Sequence, residues 1–89
     1  MTRRVMIVDD DRAIRITLQE ILKQEGWEVV LAEDRPQAIQ VATESRLALI
    51  IMDIHLAGMN GIDTYSGIKG ILPDCAVVMM TGYSVEVLV

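Results

Sequence analysis

Three apolar runs that stop abruptly at polar residues limit the fold more than any other feature of this chain. Residues 5–8 end at Asp9-Asp10-Asp11, residues 47–52 at Asp53, and residues 76–80 at Thr81. A strand covered on one face alternates apolar and polar side chains, whereas a strand covered on both faces reads as a continuous run. Between the runs the apolar spacing changes to three or four. Ile14, Leu18, Ile21 and Leu22 outline a helix that starts at Arg12 and is closed by Glu25-Gly26. Ala38, Ile39, Val41 and Ala42 outline a second, with Asp34 as its cap and Pro36 in its first turn. Ile62, Tyr65, Ile68 and Leu72 outline a third, weakened by Gly67 and Gly70 and stopped by Pro73-Asp74. Residues 27–32 form a further strand. Past Thr81-Gly82, Ser84 is expected to cap a fourth helix, of which residues 85–89 are present.

Strands alternating with helices imply right-handed crossovers and an α/β fold, a doubly wound parallel sheet with helices on both faces. Residues 1–89 read as one domain, with no repeat, linker or low-complexity segment. Functional groups are then expected at the carboxyl ends of the strands, where all three polar sets converge. Composition excludes several alternatives. With 52% hydrophobic residues disorder is not expected, and a net charge of −5 with eight scattered Lys and Arg argues against a nucleic-acid surface. The four apolar residues after Arg4 are too few for a signal peptide or a membrane span, and a cytoplasmic protein is expected. Cys75 is the sole cysteine, which rules out an intrachain disulfide and suits a small core residue.

Asp9, Asp10 and Asp53 in one crevice repel unless they share protons or hold a cation. Oxygen ligands without His or Cys favour Mg²⁺, which takes one or two carboxylates plus phosphate oxygens. His55 has no partner imidazole, so its side chain is a poor ligand signal. A carboxylate beside Mg²⁺ can attack phosphorus to form an acyl phosphate, and Thr81 could donate a hydrogen bond to the phosphoryl group.

The stretches VMIVDDDRAIR, LALIIMDIHLAGMNG and AVVMMTGYS together resemble the receiver domain of bacterial response regulators, the CheY-like fold. The resemblance implies a flavodoxin-like strand order 2-1-3-4, with Asp53 as phosphoacceptor. It also implies Asp10 on Mg²⁺ directly, Asp9 on it through water, and the backbone carbonyl of His55 completing the site. Thr81 matches the hydroxyl that moves toward the phosphoryl group. A sensor histidine kinase or phosphotransfer protein is the implied partner, and a signalling switch rather than an enzyme the implied role. Asp11 is expected to cap the first helix.

Two features depart from the pattern. Ala57 stands where proline is usual, and the fifth strand and last helix are missing, together with the lysine and aromatic residue of that region. Neither Lys23 nor Lys69 is placed to replace that lysine. Loss of the fifth strand would leave residues 76–80 as a bare sheet edge, inviting self-association. Two other readings remain. In one, the chain is a degenerate receiver that only binds partners. In the other, it is a phosphatase of the haloacid-dehalogenase type with Asp9 as nucleophile and Asp11 as acid, which leaves Asp53 without a role.

Overall fold

The computed structural model describes the backbone of residues 3–53, 55–56, 59–81 and 84–88, and the side chains of residues 3–53 and 62–80. In chain order the elements are β1 (Arg4–Val8), α1 (Arg12–Gln24), β2 (Glu28–Ala32), α2 (Arg35–Glu44), β3 (Leu49–Asp53), β4 (His55–Leu56), β5 (Met59–Asn60), α3 (Gly61–Ile71), β6 (Ala76–Thr81) and β7 (Ser84–Leu88). The strands form a sheet ordered β2-β1-β3-β6-β7, while β4 and β5 make a separate two-residue ribbon. β2, β1, β3 and β6 run parallel. The doubly wound order 2-1-3-4 is therefore present in the first four strands of the main sheet.

The apolar run of β1 is buried throughout as its composition requires, whereas in β3 Ile50 and Met52 are buried and Leu49 and Ile51 only half-buried. Val5, Met6, Ile7 and Val8 have no exposed surface, and neither do Ile50, Met52 and Val77. Met6, Val8, Ile50, Met52, Val77 and Met79 form one core with Ala38 and Ala42 of α2 and Ile68 of α3. Their alternation along each strand shows that α2 and α3 share a face of the sheet. On α1, Arg15, Leu18, Gln19 and Leu22 are half-buried, whereas Ile14 and Ile21 remain exposed. The apolar stripe expected from spacing is thus wider than the face that packs.

The helix ends follow local chemistry. Asp11 caps α1, its Oδ1 accepting from Ala13 N at 2.8 Å and Ile14 N at 3.4 Å. Asp34 caps α2, accepting from Gln37 N at 2.9 Å. At the far end of α1, Gly26 N donates to Lys23 O and Trp27 N to Leu22 O, a Schellman pair that needs the left-handed φ of +90° at Gly26. Cys75 is buried and unpaired, and burial raises its thiol pKa.

One expectation is overturned at the carboxyl terminus. Residues 84–88 do not begin a helix; they pair antiparallel with β6, from Thr81↔Ser84 to Val77↔Leu88. Ser-Val-Glu-Val-Leu has β-branched residues and apolar-polar alternation, and the open donors and acceptors of β6 lie within reach. A parallel return would need a crossover of a dozen or more residues. The fifth sheet position is accordingly filled, by an antiparallel strand, and the bare β6 edge proposed as a self-association surface does not exist in this fold.

Candidate functional site

β1 and β3 are adjacent and in register, Val8 opposite Met52. The next residue on each strand is an aspartate, so Asp9 and Asp53 leave the sheet side by side, and Asp10 follows in the turn to α1. The structure brings these three together: one carboxylate oxygen from each lies within 4.8 Å of the others. They differ in environment, with Asp9 buried, Asp53 half-buried and Asp10 exposed. Burial pushes the Asp9 pKa above its ordinary value. The hydrogen bond from Asp11 N to Asp9 Oδ1, 2.8 Å, opposes the rise, while the charges of Asp53, Asp10 and Asp11 reinforce it.

Three carboxylates so placed are an unfavourable arrangement on their own and a suitable one around a hard divalent cation. The group contains neither His nor Cys, and its exposed member leaves a side open for water or phosphate oxygens. The residues present therefore fit an oxygen-liganded cation. Their side chains excluded, His55 and Thr81 are placed by backbone alone: His55 pairs with Asn60 and Thr81 closes β6. The role given to the Thr81 hydroxyl lies outside the described residues, as does Ala57, and the backbone carbonyl expected to complete the metal site belongs to His55 of β4.

Other charged candidates sort themselves by position. Asp11 serves as a helix cap. Asp9, which the phosphatase reading needs as an accessible nucleophile, is 1% exposed with Oδ1 engaged by Asp11 N. Lys69 donates to the carbonyls of Pro73, 3.1 Å, and Cys75, 2.6 Å, just before β6 begins, the sheet end opposite the acids. Lys23 sits in the last turn of α1, away from its acidic end.

Sequence reasoning passed over Arg15. Its Nη1 donates to the backbone carbonyl of Asp9 at 2.6 Å, and Nη2 lies 3.8 Å from Glu33 Oε2. A signal was available: Arg15 falls at the spacing of Leu18 and Leu22, so a cation stands on the inward face of α1, where a partner is required.

Residues 5–89 match the response regulator receiver domain family. Sporulation initiation phosphotransferase F of Bacillus subtilis (strain 168) is 35% identical over 83 residues, covering 93% of this chain and 67% of that protein. Transcriptional regulatory protein ZraR of Klebsiella oxytoca is 38% identical over 80 residues, 90% of this chain but 18% of the relative. Among solved structures, a CheY-like response regulator receiver domain protein from Methanospirillum hungatei JF-1 superposes with a TM-score of 0.90 at 31% identity, over 94% of this chain and 67% of that one. Response regulator TrrA from Thermotoga maritima, in complex with Mg(2+)-BeF, superposes at 0.86 with 31% identity, over 93% of this chain and 72% of that one. With the parallel order, the paired strand ends and the three converging acids, these matches establish that the chain belongs to the response regulator receiver domain family.

Proposed function

We propose that this receiver domain takes a phosphoryl group onto Asp53 from the phosphohistidine of a sensor kinase or phosphotransfer protein, and works as a signalling switch. The observation that carries the proposal is the convergence of Asp9, Asp10 and Asp53 within 4.8 Å at the ends of two central strands. Asp53 is the most suitable nucleophile because it is half-buried, between the hidden Asp9 and the exposed Asp10. One of its oxygens would attack phosphorus in line while the bond to the donor nitrogen breaks, leaving an acyl phosphate. A Mg²⁺ held by Asp9, Asp10, Asp53 and the His55 carbonyl would offset the charge of the transferring oxygens. Asp9 and Asp10 would hold the cation side of the crevice, and the role expected of the Thr81 hydroxyl would be to donate to a phosphoryl oxygen. The TrrA structure, with its Mg(2+)-BeF, lends support by analogy.

The test is phosphorylation of the purified chain by a small phosphoramidate in the presence of Mg²⁺. An acid-stable, alkali-labile adduct is expected, lost in Asp53→Asn and kept in Asp11→Asn. Label surviving in Asp53→Asn would overturn the assignment, and an unlabelled wild type would favour a module that only binds partners.

A further inference from the structure

The turn from β1 to α1 carries two of the three acids, and its backbone is held from one side by a cation. The β1–β2 ladder ends at Val8↔Ala32, and Asp9 N continues it by donating to Ala32 O at 3.1 Å. The Asp9 carbonyl instead accepts from Arg15 Nη1 at 2.6 Å. That carbonyl belongs to the peptide joining Asp9 to Asp10, so its orientation sets the directions in which both side chains leave the backbone. Arg15 is itself constrained. Its side chain is 13% exposed and its other nitrogen faces Glu33 at 3.8 Å. Glu33 is fastened to α2, where Gln37 Oε1 accepts from Glu33 N at 2.9 Å and Gln37 Nε2 lies 3.5 Å from Glu33 Oε1. Gln37 N in turn donates to the capping Asp34. A line of polar contacts thus runs from the start of α2, through Glu33 and Arg15, to the peptide between the two acids.

We propose that Arg15 is a positioning residue of the cation site: by fixing the Asp9–Asp10 peptide it holds both carboxylates in the geometry a divalent ion requires. The inference rests on the proposed function, since it takes Asp9, Asp10 and Asp53 to be the ligands. A guanidinium suits the task because its rigid fork binds the carbonyl and Glu33 together, which a lysine ammonium does less well.

Charge and positioning predict opposite signs. Arg15 adds positive charge near a cation site, so on electrostatic grounds its neutralisation tightens binding, whereas loss of the positioning contact weakens it. Outer contacts that orient ligands are typically worth about 10–100-fold in metal affinity. The experiment titrates Mn²⁺, an oxygen-liganded probe, into wild type, Arg15→Met, Arg15→Lys and Arg12→Met, following bound ion by water-proton relaxation well below each unfolding temperature. Arg12 is exposed on the same helix, so Arg12→Met removes an equal charge with the Asp9 carbonyl contact left in place. The expected result is about tenfold weaker binding in Arg15→Met, a smaller loss in Arg15→Lys, and unchanged or tighter binding in Arg12→Met. Should Arg15→Met fail to fold, Arg15→Lys carries the same comparison against wild type. Equal or tighter binding in the Arg15 variants overturns the inference alone. A wild type that binds no Mn²⁺ overturns the site assignment and this inference with it.

Discussion

Replacing Asp53 by Asn should stabilise the protein without metal and destabilise it relative to wild type with metal. With oxygens within 4.8 Å of one another, a pair of unit charges costs about 1 kcal/mol in a water-like medium and about 3–4 kcal/mol at an effective dielectric of 20. Asp10 is exposed and Asp53 half-buried, which places each pair toward the lower figure. Asp53→Asn removes its repulsion with both Asp9 and Asp10, so the gain is about 2–3 kcal/mol at low ionic strength. For a domain of this size that raises the melting temperature by roughly 10 °C. Saturating Mg²⁺ acts the other way, adding about 4.1 kcal/mol to wild type at about a thousand times its dissociation constant and far less to a site that has lost one ligand charge. Thermal unfolding by circular dichroism, with EDTA and with a Mg²⁺ series, should give curves that cross. A lower melting temperature for Asp53→Asn in EDTA, or equal Mg²⁺ responses in the two proteins, would refute the reasoning.

Acid titration and backbone conformation give further expected outcomes. Because the folded state raises the Asp9 pKa above its ordinary value of 3.8, it favours the protonated acid: this contribution is full below 3.8 and is lost as pH rises through the raised value. Metal-free stability should therefore fall across that window in wild type but not in Asp9→Asn, and Mg²⁺ should stabilise wild type more at pH 7 than at pH 4, measured by urea unfolding. The two glycines bordering helical structure should respond in opposite directions to alanine. Gly26→Ala should cost about 1 kcal/mol because φ there is +90°, whereas Gly70→Ala, in α3 with nothing within 4 Å of its added Cβ, should gain roughly 0.5–1 kcal/mol.

Much of this was legible in the chain because it rests on local or periodic signals. Continuous apolar runs identified β1, β3 and β6, and Asp11 and Asp34 stood where helix caps belong. The convergence of Asp9, Asp10 and Asp53 followed from parallel strands ending on one edge. What was missed depends on tertiary context. Residues 84–88 carry strand-like alternation behind a serine that also suits a helix cap, and an available sheet edge decided between the two. Ile14 and Ile21 share the spacing of packed residues yet stay exposed, since periodicity gives a stripe but not the width of what covers it. The place of Arg15 on the inward face of α1 signals that it needs a partner, but that the partner is the Asp9 carbonyl, a backbone atom, is set by the tertiary fold.

The register of β1 and β3 has a consequence for the fidelity of folding. Asp9 and Asp53 are far apart in sequence and meet only because Val8 stands opposite Met52. A slip of β3 by one residue would carry Asp53 about 3.3 Å along the sheet and turn its side chain to the opposite face. The apolar runs penalise such a slip weakly, since Leu49, Ile50, Ile51 and Met52 are interchangeable in polarity, and without a cation the mutual repulsion of the acids does not hold the register either. A cation bridging the two strand ends would therefore discriminate the correct alignment from its nearest competitors, so that the groups proposed to receive the signal also proofread the sheet that holds them.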